Sequence, residues 1–235
     1  MKYISYIKLI ITLIVVGILL FSCREKQKNN NQKLSEGEIL FKIVYPQEVE
    51  DNDFYFIYPQ EMVLSFKDNF QRLSFKGSLG LYSFEFIFGD MNDTVYTLLK
   101  VNLMEKKLYV PTIGKNLLVF SESAKDRIVD FTDDTKEIAG LIAKKVIMKS
   151  NKLDIPDIEV WYSDEFQIDN PNKYTPFSQI PGIILESEII FENVKFCFSA
   201  VKITASKIKD EIFSVPSDYI LTSIYEIEQL LYTVF

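Results

Sequence analysis

The chain has 235 residues, 48% of them hydrophobic and 25% charged, so it can bury a core of its own and is neither a disordered polymer nor an integral helical bundle. Its formal net charge of −7 speaks against the basic face that nucleic-acid binding requires. It contains no histidine, which removes histidine acid–base chemistry, Ser-His-Asp and Cys-His pairs, and histidine ligation of zinc.

The run from Leu9 to Ser22 is uncharged, preceded by Lys2 and Lys8 and followed at once by Arg24, Glu25 and Lys26. A spanning helix needs about 20 apolar residues. This run is shorter and matches the ~7–15-residue apolar core of a secretory signal peptide. It ends in Leu20-Phe21-Ser22-Cys23, which resembles a bacterial lipobox, where cleavage falls before a cysteine that then carries acyl chains. Residues 1–22 are therefore expected to be a lipoprotein signal peptide and Cys23 an acylated, palmitate-bearing N-terminus. An uncleaved anchor helix is the plainer alternative, and either places the rest of the chain beyond the inner leaflet. Acylation contributes ~0.8 kcal/mol of anchoring per buried CH₂. Removal of residues 1–22, which hold two lysines and no acid, takes the net charge to −9. The absence of Asp at position 24 favours the outer membrane of the cell envelope, with the chain facing the periplasm or the cell surface. Residues 23–35 are polar and aperiodic, with an Asn run, and read as a flexible tether.

From residue 36 to 235 a single β-rich domain is expected, because short alternating runs follow one another with Gly, Asn, Asp and Pro between them. The predicted strands are "EILFKIVY", "DFYFIY", "MVLSFK", "LYSFEFIF", "DTVYTLLKVNL", "DRIVDFT", "GLIAKKVIM", "DIEVWYS", "GIILESEIIF" and "VKFCFSAVKITASKI". In "LYSFEFIF" the two-residue period puts Tyr82, Phe84, Phe86 and Phe88 on one face, with Leu81 and Ile87 adding apolar surface to the other. Ile138-Ala139-Gly140 reads as a bend with Gly140 where a side chain would be crowded, and Pro181-Gly182 as a tight entry into a strand. Trp161 faces away from Val160 and Tyr162. Cys197, between aromatics in "KFCFSA", reads as a buried apolar thiol.

The C-terminal "TSIYEIEQLLYTVF" is the helical segment. Ser223 and Glu226 form a capping box, and Ile224, Ile227, Leu231 and Val234 make a stripe that should lie on the sheet. A second row, Tyr225, Tyr232 and Phe235, either packs in the core or closes an apolar cavity.

In order along the chain, "YPQEMVLSFKDN", "YTLLKVNLMEKKLYV", "TKEIAGLIAKKVIM", "VWYSDEF" and "IPGIILESEI" resemble a family of bacterial secreted proteins and lipoproteins named for a Gly-Leu-Pro-Gly-Leu-Ile (GLPGLI-like) signature. They are also similar to a neighbouring lipoprotein family of unknown function, related to the LolA-like carrier that moves lipoproteins across the periplasm. Gln179 and Ile180 stand where the signature has Gly-Leu, and Ala143 where relatives often carry cysteine. The resemblance implies a half-open antiparallel β-barrel, or strongly curved sheet, packed on a helix around an apolar concavity. It implies no catalytic residue.

Other chemistry finds little support. Asp164 and Glu165 are adjacent and would point apart in a strand. "DNDFYF" fails as a calcium loop, since numbering from Asp51 puts Phe56 at the required Gly and Met62 at the required Glu. Asp130, Asp133, Asp134 and Glu137 form a loose acidic cluster. No catalytic residue, metal site or cofactor is expected, and the chain does not read as an enzyme. The favoured function is a membrane-anchored envelope lipoprotein that binds or carries a lipid, acyl chain or other apolar ligand in a concavity lined by Tyr82, Phe84, Phe86, Phe88, Tyr225 and Tyr232. The alternative is a non-enzymatic envelope scaffold or protein-interaction domain whose concavity is filled by its own side chains. A pocket of about 300–1,000 Å³, the usual size of small-molecule sites, separates the two.

Overall fold

A computed structural model of the chain describes residues 33–53, 55–89, 93–114, 127–150, 156–191 and 194–234. The expected signal peptide and Cys23 lie outside the described residues. Residues Lys33–Phe235 form one compact unit.

Two runs of consecutive antiparallel strands build the sheet. The first comprises β1 (Glu36–Val44), β2 (Glu61–Lys67), β3 (Phe70–Lys76), β4 (Tyr82–Phe88), β5 (Thr94–Val101) and β6 (Lys106–Ile113). The second comprises β7 (Ile128–Ile138), β8 (Leu141–Lys149), β9 (Ile158–Ser163), β10 (Ile183–Phe191) and β11 (Val194–Thr204). β1 pairs with β11, with Glu38 opposite Thr204 and Val44 opposite Cys197, so the two runs join in one sheet. A short β12 (Ile220–Leu221) adds in parallel to β6, giving the order β12-β6-β5-β4-β3-β2-β1-β11-β10-β9-β8-β7. The sheet is curved and open rather than a closed barrel. Among the described residues, no helix is long and apolar enough to cross a membrane.

Alternation decides what the inner face buries. Ile39, Phe41 and Ile43 of β1 pack with Met62, Leu64 and Phe66 of β2, Leu73 and Phe75 of β3, and Phe84, Phe86 and Phe88 of β4. Phe196, Phe198 and Ala200 of β11 and Leu185 and Ile189 of β10 continue that core across the seam. The β7–β8 bend is a two-residue hairpin turn with positive φ at Ala139 and Gly140, as the right-handed twist of the strands requires. A Cβ on Gly140 would meet nothing within 4 Å, so its left-handed backbone, not crowding, selects glycine there. Crowding does operate at Gly182, where a Cβ would overlap the Ser163 carbonyl oxygen.

Three further sequence readings change. "DFYFIY" is not a strand: Tyr55–Ile57 form a 3₁₀ turn after a short helix α1 (Gln47–Glu50). Tyr55 and Tyr58 stack on Tyr45 there, with ring centroids 5.6 Å from it in each case, and the aromatic run serves that local cluster. The strand β11 stops at Thr204, and "ASKI" begins an extended strap. Cys197 is exposed on the outer face of β11 rather than buried, and residual burial pushes its thiol pKa up, which makes it a poor nucleophile.

The helix α2 (Ile224–Val234) forms where expected. Ser223 Oγ accepts the Glu226 amide at 3.2 Å, the first half of the capping box. The Glu226 carboxylate completes no box: it accepts from Thr222 and from Lys106 at 3.0 Å, tying the helix start to β6. Ile227 and Leu231 are buried in the core.

Candidate functional site

The concavity of the sheet is the predicted site, and its geometry follows from what covers it. The strands end, on one side, at the β2–β3 turn, the β4–β5 loop and the long β9–β10 connection, residues 164–182. That connection turns inward. Its Phe166 packs edge-on against Phe66 at 5.3 Å, and its Tyr174 against Phe88 at 5.8 Å. Phe166, Ile168, Tyr174, Phe177 and Ile180 are all buried in the core.

Polar groups pin this loop at several points. Asn172 Nδ2 donates to the carbonyl oxygens of Ile180 at 2.8 Å and Gly182 at 2.7 Å. Gln71 Nε2, on the inner face of β3, donates to the Pro171 carbonyl at 3.0 Å. Asn69 Oδ1 accepts the Asp169 amide at 2.9 Å. Tyr174 donates its hydroxyl to Asp93 at 2.9 Å, and Lys173 pairs with the same carboxylate at 2.5 Å. The Lys173 ammonium, followed by the Tyr174 hydroxyl, holds the Asp93 pKa below the usual carboxylate range.

Among the described residues, a cavity of about 60 Å³ lies under the loop, lined by Phe41, Leu64, Phe88, Phe177, Ile189 and Phe198 among others. This falls well short of the expected 300–1,000 Å³. An engineered apolar cavity of about 150 Å³ accommodates benzene, so the space here is too small for an acyl chain. β4 buries both faces, and Ile87 on its outer face is nearly as buried as Phe86 on its inner one. The cover on those faces is not the helix alone. Irregular chain supplies it on both sides.

The outer cover is the strap, residues 205–219, which runs from the end of β11 across β1, β2, β3 and β4. Glu36 accepts the Ile208 amide at 3.1 Å, Lys67 donates to the Ile208 carbonyl at 3.2 Å, and Arg72 donates to the Ile212 carbonyl at 2.8 Å. Arg72 also pairs with Glu85, so this carboxylate on β4 is buried with its counterion. Phe213 stacks on Phe70 at 5.7 Å.

The structure brings four of the predicted site residues together and leaves two apart. Tyr82, Phe84, Phe86 and Phe88 share the inner face and are buried, and of these Phe88 lines the cavity. Phe84 and Phe86 stack at 4.7 Å. Tyr82 donates to the Ile57 carbonyl at 3.1 Å, and burial raises its phenol pKa. Tyr225 and Tyr232 are 66% and 59% exposed, and they do not line the concavity. Only one stripe of α2 can face the sheet, and Ile227 and Leu231 occupy it. Sequence reasoning missed Phe41, Phe198, Gln71, Asn172, Tyr174 and Phe177. A run with buried-type residues at 166, 168, 174, 177 and 180 but neither strand nor helix period was the available signal for a loop that packs inward.

Three of the other acids singled out in the sequence lie against lysines. Asp130 pairs with Lys149 at 2.6 Å, Asp134 approaches Lys145 at 3.9 Å, and Asp164 pairs with Lys144 at 2.7 Å. Among the described residues, no group of three or more His, Cys, Asp or Glu could hold a metal ion. Trp161 stands on the outer face with the Lys136 ammonium 4.3 Å from its ring centroid, and Lys136 also pairs with Glu186 at 2.5 Å.

No family model and no curated protein matches the chain. Among solved structures it is similar to PNGF-II in its C2 crystal form, with a TM-score of 0.52 and 13% identity over 85% of this chain and 33% of that one. The P21 form of PNGF-II gives the same TM-score and identity over 85% of this chain and 34% of that one. The chain thus spans about a third of the length of PNGF-II. It is also similar to an uncharacterized conserved protein from Thermus thermophilus, with a TM-score of 0.45 and 9% identity over 80% of this chain and 90% of that one. At such identity the likeness to PNGF-II is one of backbone architecture alone.

Proposed function

We propose that this chain is a lipid-anchored protein of the bacterial cell envelope, acylated at Cys23, whose β-rich domain is a non-enzymatic scaffold or protein-interaction module with a filled core. The observation that carries this reading is the inward-folded loop 164–182, under which the described residues enclose a cavity of about 60 Å³. The lipobox and the short apolar run support the anchor. Kinship with the GLPGLI-like and LolA-like proteins is proposed on segments that become β8, β9 and β10, three neighbouring strands, together with the earlier segments in β2, β5 and β6.

The apolar lining of this cavity and its cover of irregular loop favour a second reading, the carrier. Outward displacement of residues 164–182 would join the cavity to solvent and enlarge it. Mass spectrometry of the natively purified protein tests the two. A filled core yields no stoichiometric lipid beyond acyl chains bound at the N-terminus, whereas a co-purifying lipid at one per chain overturns the scaffold reading in favour of the carrier. For the anchor, Cys23→Ser should abolish labelling by palmitate, and persistent labelling would overturn it.

A further inference from the structure

On the outer face of the sheet, away from the concavity, three strands place a row of like charges in register. Lys76 of β3 lies opposite Ser83 of β4, Ser83 lies opposite Lys100 of β5, and Lys100 lies opposite Lys107 of β6. Like charges directly opposite one another destabilise a sheet. One member of the row is compensated, since Lys107 pairs with Asp218 of the strap. Lys76 and Lys100 form no ion pair among the described residues. They flank β4 at two strand spacings, roughly 9–10 Å, so both ammonium groups can converge on one anion above Ser83.

A hollow of about 330 Å³ lies there, its lining including Lys76, Ser83, Glu85, Lys100, Asn102 and Tyr219. Its carboxylate, Glu85, is neutralised by Arg72. The Tyr219 hydroxyl is hydrogen-bonded to Ser83. The lining therefore presents two lysines that form no ion pair among the described residues, Lys100 sharing the field of Asp218 with Lys107, together with hydroxyl and amide groups, in a protein that is negative overall.

The turns beside this hollow carry exposed apolar residues. Gly80 and Asn102 belong to two turns held together by hydrogen bonds from the Asn102 side chain to the Gly80 carbonyl and from the Asn102 amide to the Leu81 carbonyl. The neighbouring residues at the turn tips are Leu79, 92% exposed, and Leu103, 85% exposed, followed by exposed Met104. Leu79 has φ +57, a left-handed conformation where glycine or asparagine is the ordinary choice. Such a position holds a solvent-facing leucine at a cost in both conformation and hydration.

We propose that this rim is a bilayer-docking site in which Lys76 and Lys100 take the phosphate of a lipid headgroup while Leu79, Leu103 and Met104 enter the interfacial layer. A soluble phosphate compound would gain nothing from the leucines. A protein partner would have to provide a pocket for each separate prong, whereas lipid accepts prongs at any spacing. The acids of α1 on the adjoining loop, Glu48 and Glu50, together with Glu105 beside Met104, oppose a general anionic attraction, so the docking is local to the two lysines. The rim is independent of what fills the concavity.

The test uses the full chain reconstituted in vesicles of phosphatidylcholine with 30% phosphatidylglycerol, in a Cys197→Ser background, with an environment-sensitive dye on Leu103→Cys. The expected result is a blue-shifted dye, quenched by doxyl-labelled lipid, while the same dye on Ile142→Cys, at the opposite end of the strands, stays in water. Lys76→Gln with Lys100→Gln should lower the rim's insertion constant about thirtyfold, from about 1 kcal/mol per lysine at an anionic surface, with the melting temperature unchanged. A dye at Leu103 that remains solvated, or insertion indifferent to both lysines, overturns the proposal. So does protection of Lys76 and Lys100 from acetylation by glycerol 3-phosphate without insertion, which would assign the hollow to a soluble phosphate compound.

Discussion

Replacing Asn172 with alanine should loosen the inner cover of the sheet, and the structure fixes how much. Asn172 is buried, and its amide donates two hydrogen bonds of 2.8 and 2.7 Å that join the middle of the loop 164–182 to its exit at Ile180 and Gly182. Each such bond is worth about 0.5–1.5 kcal/mol net, and each buried acceptor left without its partner adds a penalty of about 1–3 kcal/mol where water cannot enter. With partial access of water to the small cavity, Asn172→Ala should destabilise the fold by about 2–4 kcal/mol. In urea, at a slope of about 2 kcal/mol per molar, the midpoint should fall by about 1–2 M. Circular dichroism and the fluorescence of Trp161, the one tryptophan of the chain, would follow the transition. Hydrogen exchange should show lost protection first at residues 172–182. Asn172→Asp, which sets a carboxylate against two carbonyl oxygens, should be worse than alanine. A loss within about 0.5 kcal/mol, the range of ordinary surface changes, with unchanged exchange along the loop, would refute the pinning role.

Leu231→Ala removes a buried side chain of α2 and should cost about 2–5 kcal/mol by chemical denaturation; a near-neutral result would mean that the helix does not seal the sheet edge. Gly89→Ala combines φ +121 with a Cβ that would overlap the Asn69 carbonyl oxygen, so a marked fall in melting temperature is expected, and an unchanged melt would contradict the close approach of the β2–β3 and β4–β5 turns. Acid should release the loop through Asp93. Its folded pKa lies below the ordinary 3.8, so its stabilising contribution is complete above that value and is lost as pH falls through the lower folded one. Asp93→Asn should flatten that acid limb, which urea midpoints between neutral pH and pH 2.5 would measure.

The regular elements were the readable part of this chain. β4 declared itself because Tyr82, Phe84, Phe86 and Phe88 keep a strict two-residue period, and α2 because Ile227 and Leu231 repeat at helical spacing below a Ser223 cap. β3 was passed over: "FQRLSFK" sets Phe70 on the outer parity and Gln71 on the inner, which blurs the alternation. Those two exceptions serve long-range contacts, Phe70 with Phe213 of the strap and Gln71 with Pro171 of the loop. The same cause hid the site. Whether residues 164–182 fold outward or inward depends on Phe66, Phe88 and Asp93, which lie far away in sequence, and no local period encodes that choice. "DFYFIY" erred the other way, as its apolar density reflects a tyrosine cluster with Tyr45 rather than a strand.

The seam between β1 and β11 sets the order in which the molecule can assemble. Glu38 must find Thr204, so each meander can zip up between strands adjacent in sequence while its inner edge waits for a partner more than half the chain away. Closure of so long a loop is entropically slow, and during the wait β1 and β11 each present a row of unpaired backbone donors and acceptors to any other strand. The strap can dock only afterwards, because its anchors Glu36, Lys67 and Arg72 belong to the first meander while it leaves from the last strand of the second. A chain cut short before Val194 would thus keep most of its strands yet leave β1 uncapped. Its fate should be edge-to-edge association into insoluble material, so the final forty residues act as a guard against self-assembly as much as a source of stability.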